Sequence, residues 1–154
     1  MARGRRRYPK RPILGVGAII LKRDRVLLVE RAKSPLKGYW SLPGGVLETG
    51  EQLQEGIRRE VLEETGLVVE PLRVVTIFER IMRDGEGKPE YHYVLIDYLC
   101  RPIGGVLQAG SDVSEVALAS LSGLGEFRLR PEAIALVTRG LEEAPAVFGD
   151  GVPT

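Results

Sequence analysis

Residues 44–69 read GGVLETGEQLQEGIRREVLEETGLVV, a glycine-rich turn followed by a segment with the periodicity of an amphipathic helix. Leu53, Ile57 and Val61 recur every four residues and predict a buried stripe along this helix. Glu60 and Glu64 are also four residues apart, so their charges repel each other across one helical turn. The sequence therefore predicts a helix whose acidic face requires compensating positive charge or full solvation.

The two ends of this helix carry recognisable capping signals. Thr49, followed three residues later by Gln52, matches the pattern of a capping box and is predicted to be the N-cap. Gly66 lies just past the last helical residues, where a glycine commonly ends a helix. The predicted helix therefore lies between Thr49 and Gly66.

Three acidic residues of the helix suggest a chemical role. Glu60, Glu63 and Glu64 are spaced at i, i+3 and i+4, which places their carboxylates on one helix face. This face borders the apolar stripe, so we expect the acids at the edge of the core. Clustered carboxylate oxygens beside a glycine-rich loop suit Mg²⁺ or Mn²⁺. A solvated acidic face is the alternative, and for an isolated REVLEE segment it would be the preferred interpretation.

Apolar, β-rich runs on both sides of the helix predict a mixed sheet. The runs ILGVGAIIL and RVLLVERA, separated by KRDR, predict a pair of strands. The runs LVVEPLRVVTIFERIM and YHYVLIDYLC predict two more strands around the turn RDGEGKPE, and GGVLQAGSDVSEVALASL mixes loop and strand. Pro131 is expected to open a second helix. We predict one domain over residues 12–148, with one helix on each face of the sheet, and a loose end at residues 149–154.

Composition indicates an ordinary globular protein with an uneven charge distribution. The chain has 154 residues, of which 44% are hydrophobic and 28% charged, with a net charge of +1. Residues 1–11 contain six basic residues and no acidic one, which leaves 16 basic and 21 acidic residues and a net charge of −5 for the rest. We predict a flexible, solvated tail at residues 1–11 in preference to a nucleic-acid-binding segment.

The cysteine content and the hydropathy of the chain indicate its cellular location. The single cysteine excludes an internal disulfide framework and a cysteine metal cluster, which suits a reducing environment. The apolar run ILGVGAIIL is too short to span a bilayer, and no small-residue cleavage site follows it. A cytoplasmic location without membrane association is therefore predicted.

The helical segment and the turn before it resemble the signature of the Nudix hydrolase family, whose members include MutT-like proteins and ADP-ribose pyrophosphatases. The signature is Gly, five residues, Glu, seven residues, Arg-Glu, an aliphatic residue, any residue, Glu-Glu, any residue, Gly and an aliphatic residue. Its fixed positions are matched here by Gly45, Glu51, Arg59, Glu60, Val61, Glu63, Glu64, Gly66 and Leu67. Gly56 departs from the alanine usual in the family, and a glycine inside a helix costs about 1 kcal/mol relative to alanine.

The resemblance implies a fold and a reaction. The fold is an α/β/α sandwich around a mixed β-sheet. The reaction is divalent-metal-dependent hydrolysis of a nucleoside diphosphate linked to a moiety X, releasing a nucleoside monophosphate and phosphorylated X by direct attack of water. An ADP-ribose-like compound is preferred over a nucleoside triphosphate as substrate, and a homodimer is compatible with the resemblance. The alternatives are an RNA 5′-end pyrophosphohydrolase and a non-catalytic nucleotide-binding sensor.

The resemblance also implies a set of metal ligands. By matching position, Glu60, Glu63 and Glu64 become the carboxylate ligands of Mg²⁺ or Mn²⁺. The carbonyl oxygen of Gly44 resembles a further ligand found in some members. Glu48 is an auxiliary candidate, and a solvated loop acid is an equally good interpretation of it.

Residues other than the metal ligands are implied to orient groups or to move a proton. Arg59 is expected to orient the glutamates through charge-assisted hydrogen bonds. Glu51 resembles a structural acid near the start of the helix, where a negative charge suits the helix dipole. The general base stays open between a glutamate of the helix and an acid of the late segment GSDVSEV, which contains Asp112 and Glu115. Of these two late acids, Glu115 is preferred.

Overall fold

The computed structural model describes residues 6–149, arranged as seven strands and two α-helices. The strands are β1 (Ile13–Lys22), β2 (Arg25–Arg31), β3 (Trp40–Ser41), β4 (Gly44–Val46), β5 (Leu67–Arg83), β6 (Pro89–Gly105) and β7 (Val113–Ser120). The α-helices are α1 (Leu53–Thr65) and α2 (Pro131–Phe148), and a 3₁₀-helix over Leu121–Glu126 precedes α2. Predictions for residues 1–5 and 150–154 fall outside the described residues.

Strand β1 lies in the middle of the strand order β3-β2-β1-β6-β5, and it pairs with three other strands. It runs parallel to β6 along most of its length and antiparallel to β4 near its start. At its far end it pairs antiparallel with β2, through a tight turn in which Arg23 has a φ of 57°. The predicted hairpin of β5 and β6 is present, and β7 adds to β2. The sheet is therefore mixed, as predicted.

Residues alternate along β1 between two hydrophobic cores, one on each face of the sheet. Ile19 and Leu21 belong to the core that packs against α2, whereas Ala18 and Ile20 belong to the core that packs against α1. All four are essentially inaccessible to solvent. A strand buried on both faces reads as a continuous apolar run, which explains why ILGVGAIIL shows no polar alternation. The α/β/α sandwich is confirmed.

The start of α1 differs from the prediction. The N-cap is Gln52, and the side chain of Glu55 accepts a hydrogen bond of 3.2 Å from its backbone N–H. Thr49 is not the cap, because Gly50 has a φ of +86° and the N–H of Glu51 closes a turn on the carbonyl of Glu48 at 3.0 Å. This turn keeps the chain out of the helix for three further residues after Thr49.

The C-terminal end of α1 follows the prediction. Gly66 adopts the left-handed conformation with a φ of 75°, and its N–H bonds to the carbonyl of Leu62 at 3.0 Å. A side chain at this position would also collide with the backbone of Val106, since a Cβ would lie 2.1 Å from its carbonyl oxygen. Glycine is therefore required at the end of the helix by both backbone conformation and space.

The glycine in the middle of α1 has a packing explanation. A Cβ on Gly56 would lie 2.8 Å from a methyl carbon of Leu47 and 3.0 Å from a carboxylate oxygen of Glu51. The residue thus leaves room for the turn that precedes the helix. The loss of helix propensity is offset by the close approach of Leu47 and Glu51.

Candidate active site

Helix α1 presents its acidic face to the short strand β4. Glu64 is only 4% exposed, and its Oε1 accepts a hydrogen bond of 2.8 Å from the backbone N–H of Gly44. Its other oxygen accepts from the guanidinium of Arg31. The Glu64 carboxylate is therefore held between the glycine turn and a cation of strand β2.

Arg31 was not identified from the sequence, and it is central to the site. Its Nε donates to Ser41 Oγ at 2.7 Å, and Nη2 donates to the carbonyl of Leu42 at 2.7 Å. These bonds fix the guanidinium at the end of β2, where Nη1 meets Glu64. Arg31 lies 33 residues before Glu64, so no local spacing connects the two. Only the folding of the sheet brings this cation to the acidic face.

Arg59 joins most of the acidic groups into one network. It donates to both oxygens of Glu51 at 2.6 and 2.8 Å and to the carbonyl of Val46 at 3.0 Å. Its Nη1 also donates to Glu60 at 2.8 Å and reaches Glu63 at 3.3 Å. A planar guanidinium can satisfy several carboxylates at once, which a lysine cannot do. The repulsion on the acidic face is therefore balanced by Arg59 at one end and Arg31 at the other.

The glycine turn allows the acidic face to approach β4. A Cβ on Gly45 would lie 2.4 Å from the carboxylate of Glu60, well inside van der Waals contact. A Cβ on Gly44 would lie 2.1 Å from the carbonyl oxygen of Val16. The two glycines therefore allow β4 to pack closely against both β1 and the acidic face of α1.

Burial and hydrogen bonding shift the pKa values of these acids in opposite directions. Burial raises the pKa of the Glu64 carboxyl to about 7, against the effects of Arg31 and the Gly44 N–H. Burial also raises the pKa of Glu60. Hydrogen bonding to Arg59 lowers the pKa of Glu51. Glu51 is therefore held as an anion by Arg59, whereas burial disfavours the charged forms of Glu60 and Glu64.

A cavity of about 820 Å³ opens beside this acidic face. Glu60, Glu63 and Glu64 line one side of it, together with the turn at Gly44 and Gly45. The side chain of Glu63 is 43% exposed and is the most accessible of the three. Across residues 6–149, no three Asp, Glu, His or Cys side chains already enclose a position for an ion. Glu60 and Glu64 direct oxygens at arginines instead.

Glu48, the auxiliary ligand candidate, is exposed and is not among the described residues that line the cavity. Its backbone N–H donates to Glu51 Oε1 at 3.1 Å, so the backbone of Glu48 supports Glu51.

The two acids of the late segment, Asp112 and Glu115, lie in different places in the structure. Backbone N–H groups of Gly110 and Ser111 donate to the carbonyls of Glu64 and Glu63, each at 2.9 Å, so this loop packs on the end of α1. Asp112 follows in the loop and lines the cavity. Glu115 instead lies on β7 opposite Glu30, is exposed, and is not among the described cavity residues.

Arg7 and Tyr8, which lie within the tail predicted at residues 1–11, contact the β5–β6 hairpin. Arg7 Nε donates to Glu90 at 2.6 Å, and the Tyr8 N–H donates to the Glu90 carbonyl at 2.7 Å. The hydroxyl of Tyr8 donates to Asp84 at 2.7 Å. Arg6 and Arg7 line the cavity as a result. Two acidic residues of the hairpin, Asp84 and Glu90, therefore bind this segment. The near-neutral net charge of the chain gives no sign of this pairing.

None of the helices described over residues 6–149 has the length and apolar character needed to cross a membrane.

Comparison with a model of the NUDIX domain gives a match over residues 11–139. An ADP-ribose pyrophosphatase of Methanocaldococcus jannaschii is 35% identical over 123 residues, covering 80% of this chain and 70% of that protein.

Two further proteins are similar to this chain. The 8-oxo-dGDP phosphatase NUDT18 of Mus musculus is 37% identical over 97 residues, which is 63% of this chain but only 27% of that protein. The crystallised NUDIX domain of Shewanella oneidensis NrtR, in complex with ADP ribose, matches with a TM-score of 0.72 and 25% identity, covering 87% of this chain and 89% of that one. The family match spans most of the chain and includes every residue of the acidic face, so the chain belongs to the Nudix hydrolase family.

Proposed function

We propose that this protein hydrolyses the pyrophosphate bond of a nucleoside diphosphate linked to X, with ADP-ribose or a close analogue as substrate, and that it uses Mg²⁺ or Mn²⁺. The observation that carries the proposal is the face of three carboxylates at the wall of a large cavity. Two arginines position this face without neutralising it fully, since three carboxylates share Arg59 and Arg31.

The donor atoms present fit a hard divalent cation. Glu60, Glu63 and Glu64 offer only oxygen donors, as does the carbonyl of Gly44, and Mg²⁺ and Mn²⁺ prefer such ligands. Binding an ion there requires the glutamates to exchange arginine contacts for metal contacts. A bound ion would supply positive charge to the pyrophosphate oxygens and acidify a water molecule.

The protein residues have separate tasks in this scheme. Arg59 holds Glu51, Glu60 and Glu63 in one arrangement, and Glu51 keeps Arg59 in place from the far side. Arg31 holds Glu64 against the turn. These contacts preorganise the carboxylates, which reduces the reorganisation required when substrate binds.

Glu63 is the proposed general base. It lines the cavity, is the most exposed of the three glutamates and has the longest contact to Arg59, at 3.3 Å. A base must reach the attacking water, and an accessible, weakly held carboxylate meets that requirement. Glu115 lies on β7 and is not among the described residues that line the cavity, so its assignment as base receives no geometric support.

ADP-ribose is the proposed substrate on two grounds. The similar protein from Methanocaldococcus jannaschii is named ADP-ribose pyrophosphatase, and the similar NrtR domain was crystallised in complex with ADP ribose. A cavity of about 820 Å³ lies within the range that encloses a ligand of this size. The match to NUDT18 makes 8-oxo-dGDP the second candidate, although this chain spans only 27% of that protein.

The test is a substrate panel in Mg²⁺ and in Mn²⁺, with products identified by chromatography. ADP-ribose, 8-oxo-dGDP, 8-oxo-dGTP and 5′-triphosphorylated RNA form the panel, and reaction in ¹⁸O-labelled water locates the attacked phosphorus. We expect AMP and ribose 5-phosphate, with label in one phosphate. Glu63→Gln should be inactive, and the matched control Glu142→Gln, an exposed acid on α2, should be unimpaired. Turnover in excess chelator would contradict the metal requirement, and no turnover of any compound would favour a nucleotide-binding sensor.

A further inference from the structure

A second polar cluster lies on the floor of the cavity, away from the acidic face of α1. The floor is one face of the sheet, where Asp97 on β6 pairs in register with Gly17 on β1 and with Thr76 on β5. Gly17 also pairs with Gly44 on its other side. Gly44, Gly17 and Asp97 therefore form a row across three neighbouring strands.

Asp97 is a buried acid to which no hydrogen bond is made from the part of the chain that the structure describes. Its side chain lines the cavity and is only 4% exposed, and Oδ2 bonds to no group in residues 6–149. A Cβ on Gly17 would lie 2.2 Å from Oδ1, so only glycine leaves room for this carboxyl. Burial raises its pKa to about 7. An unsatisfied buried acid calls for an explanation, because such groups are usually paired.

Arg80 provides a second unsatisfied group in the same cavity. It lies on β5, and its Nε is buried and makes no hydrogen bond within the described chain. Within residues 6–149 it forms an ion pair with Glu132 of α2, through Nη2 at 3.7 Å, and its guanidinium lies 5.6 Å from the centre of the Phe78 ring. The charge of Arg80 acts on Asp97, but no direct hydrogen bond joins the two. A donor and a carboxyl oxygen without partners in the described chain thus belong to two residues that line the same cavity.

We propose that Asp97 and Arg80 form a subsite that binds the hydrogen-bonding edge of the nucleobase in the substrate. This inference rests on the proposed function, and it adds the residues that select the base. Two neighbouring-strand spacings of about 4.8 Å separate the backbones of Gly44 and Asp97, and the Asp97 carboxyl reaches back over Gly17 of β1. A nucleotide whose phosphates lie at the glutamates would therefore place its base over β1 and β6.

The surroundings favour a base over a ribose hydroxyl pair. Phe78 on β5 and Tyr93 on β6 line the same cavity. Aromatic rings are good partners for the faces of planar bases. A base edge offers donors and acceptors side by side, which would satisfy both Asp97 and the Arg80 Nε.

A third unsatisfied side chain supplies a matched control. Glu143 on α2 has a buried oxygen without a partner in the described chain, yet it is not among the cavity residues. If unsatisfied buried groups affect only folding, replacing Glu143 and replacing Asp97 should have similar effects on ligand binding. If the proposed subsite exists, only the substitution of Asp97 should alter ligand binding.

The experiment is isothermal titration calorimetry in Mg²⁺ with AMP, GMP, CMP, UMP and ribose 5-phosphate, none of which contains a pyrophosphate bond. Asp97→Val keeps the shape without the polar atoms, and Arg80→Met removes the donor. We expect each to weaken the best nucleoside monophosphate at least tenfold and to leave ribose 5-phosphate unchanged, whereas Asp97→Asn retains part of the affinity. Glu143→Leu should change neither. Melting temperatures identify misfolded variants, and Arg80→Met tests the subsite independently of Asp97.

Several results would overturn the subsite. Equal weakening of AMP and ribose 5-phosphate would place the ribose there, and unchanged binding in both variants would make the pair purely structural. Wild-type protein that binds none of the four nucleotides would also overturn it. Wild-type protein that binds nucleotides selectively through the base, yet hydrolyses no substrate of the panel, would contradict the proposed function and leave the subsite standing.

Discussion

Replacing Gly45 with alanine should damage catalysis much more than folding. The added Cβ would lie 2.4 Å from the carboxylate of Glu60, and ordinary van der Waals contact begins at 3.4 Å. The carboxylate must therefore move by about 1 Å. The φ of Gly45 is not in the left-handed region, so alanine introduces no backbone strain, and the clash with Glu60 is the main effect.

The size of the effect follows from this displacement. A shift of 1 Å in a catalytic group can lower the rate by about 10²-fold, because preorganised geometry is lost. The hydrogen bond of 2.8 Å from Arg59 to Glu60 would stretch or break. The stability cost should stay near 1 kcal/mol, the usual value for one hydrogen bond or an off-rotamer side chain.

The assay compares kcat and KM for ADP-ribose in saturating Mg²⁺ with the melting temperature of each variant. Gly85→Ala is the matched control, since a Cβ there meets no atom within 4 Å and its φ is not positive. We expect about a hundredfold loss of kcat for Gly45→Ala and no loss for Gly85→Ala. A Gly45→Ala enzyme with wild-type kcat would refute the argument that β4 positions Glu60.

Four further substitutions separate the contributions of individual groups. Glu63→Gln should lower kcat by at least about 10²-fold with little change in melting temperature, because this side chain is exposed; steady-state kinetics and calorimetry measure both. Glu64→Gln should also destabilise the protein by about 1–3 kcal/mol in urea unfolding, because an amide has one acceptor oxygen where the carboxylate accepts from both Arg31 and the Gly44 N–H. Arg59→Lys should lower activity more than stability, because lysine lacks the planar fork that contacts several carboxylates. Asp97→Asn should flatten the dependence of stability on pH, as measured by urea unfolding between pH 4 and pH 8. The unfolded carboxyl ionises from its model value of 3.8, whereas the folded one ionises only near 7. Between those values the unfolded chain releases a proton that the folded chain keeps, so wild-type stability falls as pH rises, by up to about 4 kcal/mol.

Each of these predictions has an outcome that contradicts it. A Glu63→Gln enzyme with full activity would remove Glu63 as the base, and unchanged stability in Glu64→Gln would show that its pair with Arg31 contributes nothing. Equal activity of Arg59→Lys and wild type would reduce Arg59 to a solvated charge. Parallel pH–stability curves for wild type and Asp97→Asn would show that the Asp97 carboxyl ionises normally when folded.

Local patterns were sufficient to predict much of the fold. The spacing of Leu53, Ile57 and Val61 predicted the buried stripe of α1, and Ile57 and Val61 are fully buried. Pro131 opens α2, and Gly66 ends α1. The error at the start of α1 arose because a capping pattern specifies residue types, whereas the turn through Gly50 decides where the helix begins.

The sequence by itself determined the acidic face, because Glu60, Glu63 and Glu64 lie within one helix whose periodicity fixes their relative directions. The resemblance to the Nudix signature also predicted Arg59 as their partner, and the structure shows Arg59 donating to Glu60.

Tertiary structure alone decided which distant groups complete the site. Arg31 reaches Glu64 from 33 residues away, and Asp97 meets Gly17 only through the parallel pairing of β1 and β6. It also placed Glu115 on β7 and brought Arg6 and Arg7 to the cavity. The physical reason is that pairing and packing between distant strands depend on the whole sheet, whereas a helix brings together only residues three or four positions apart.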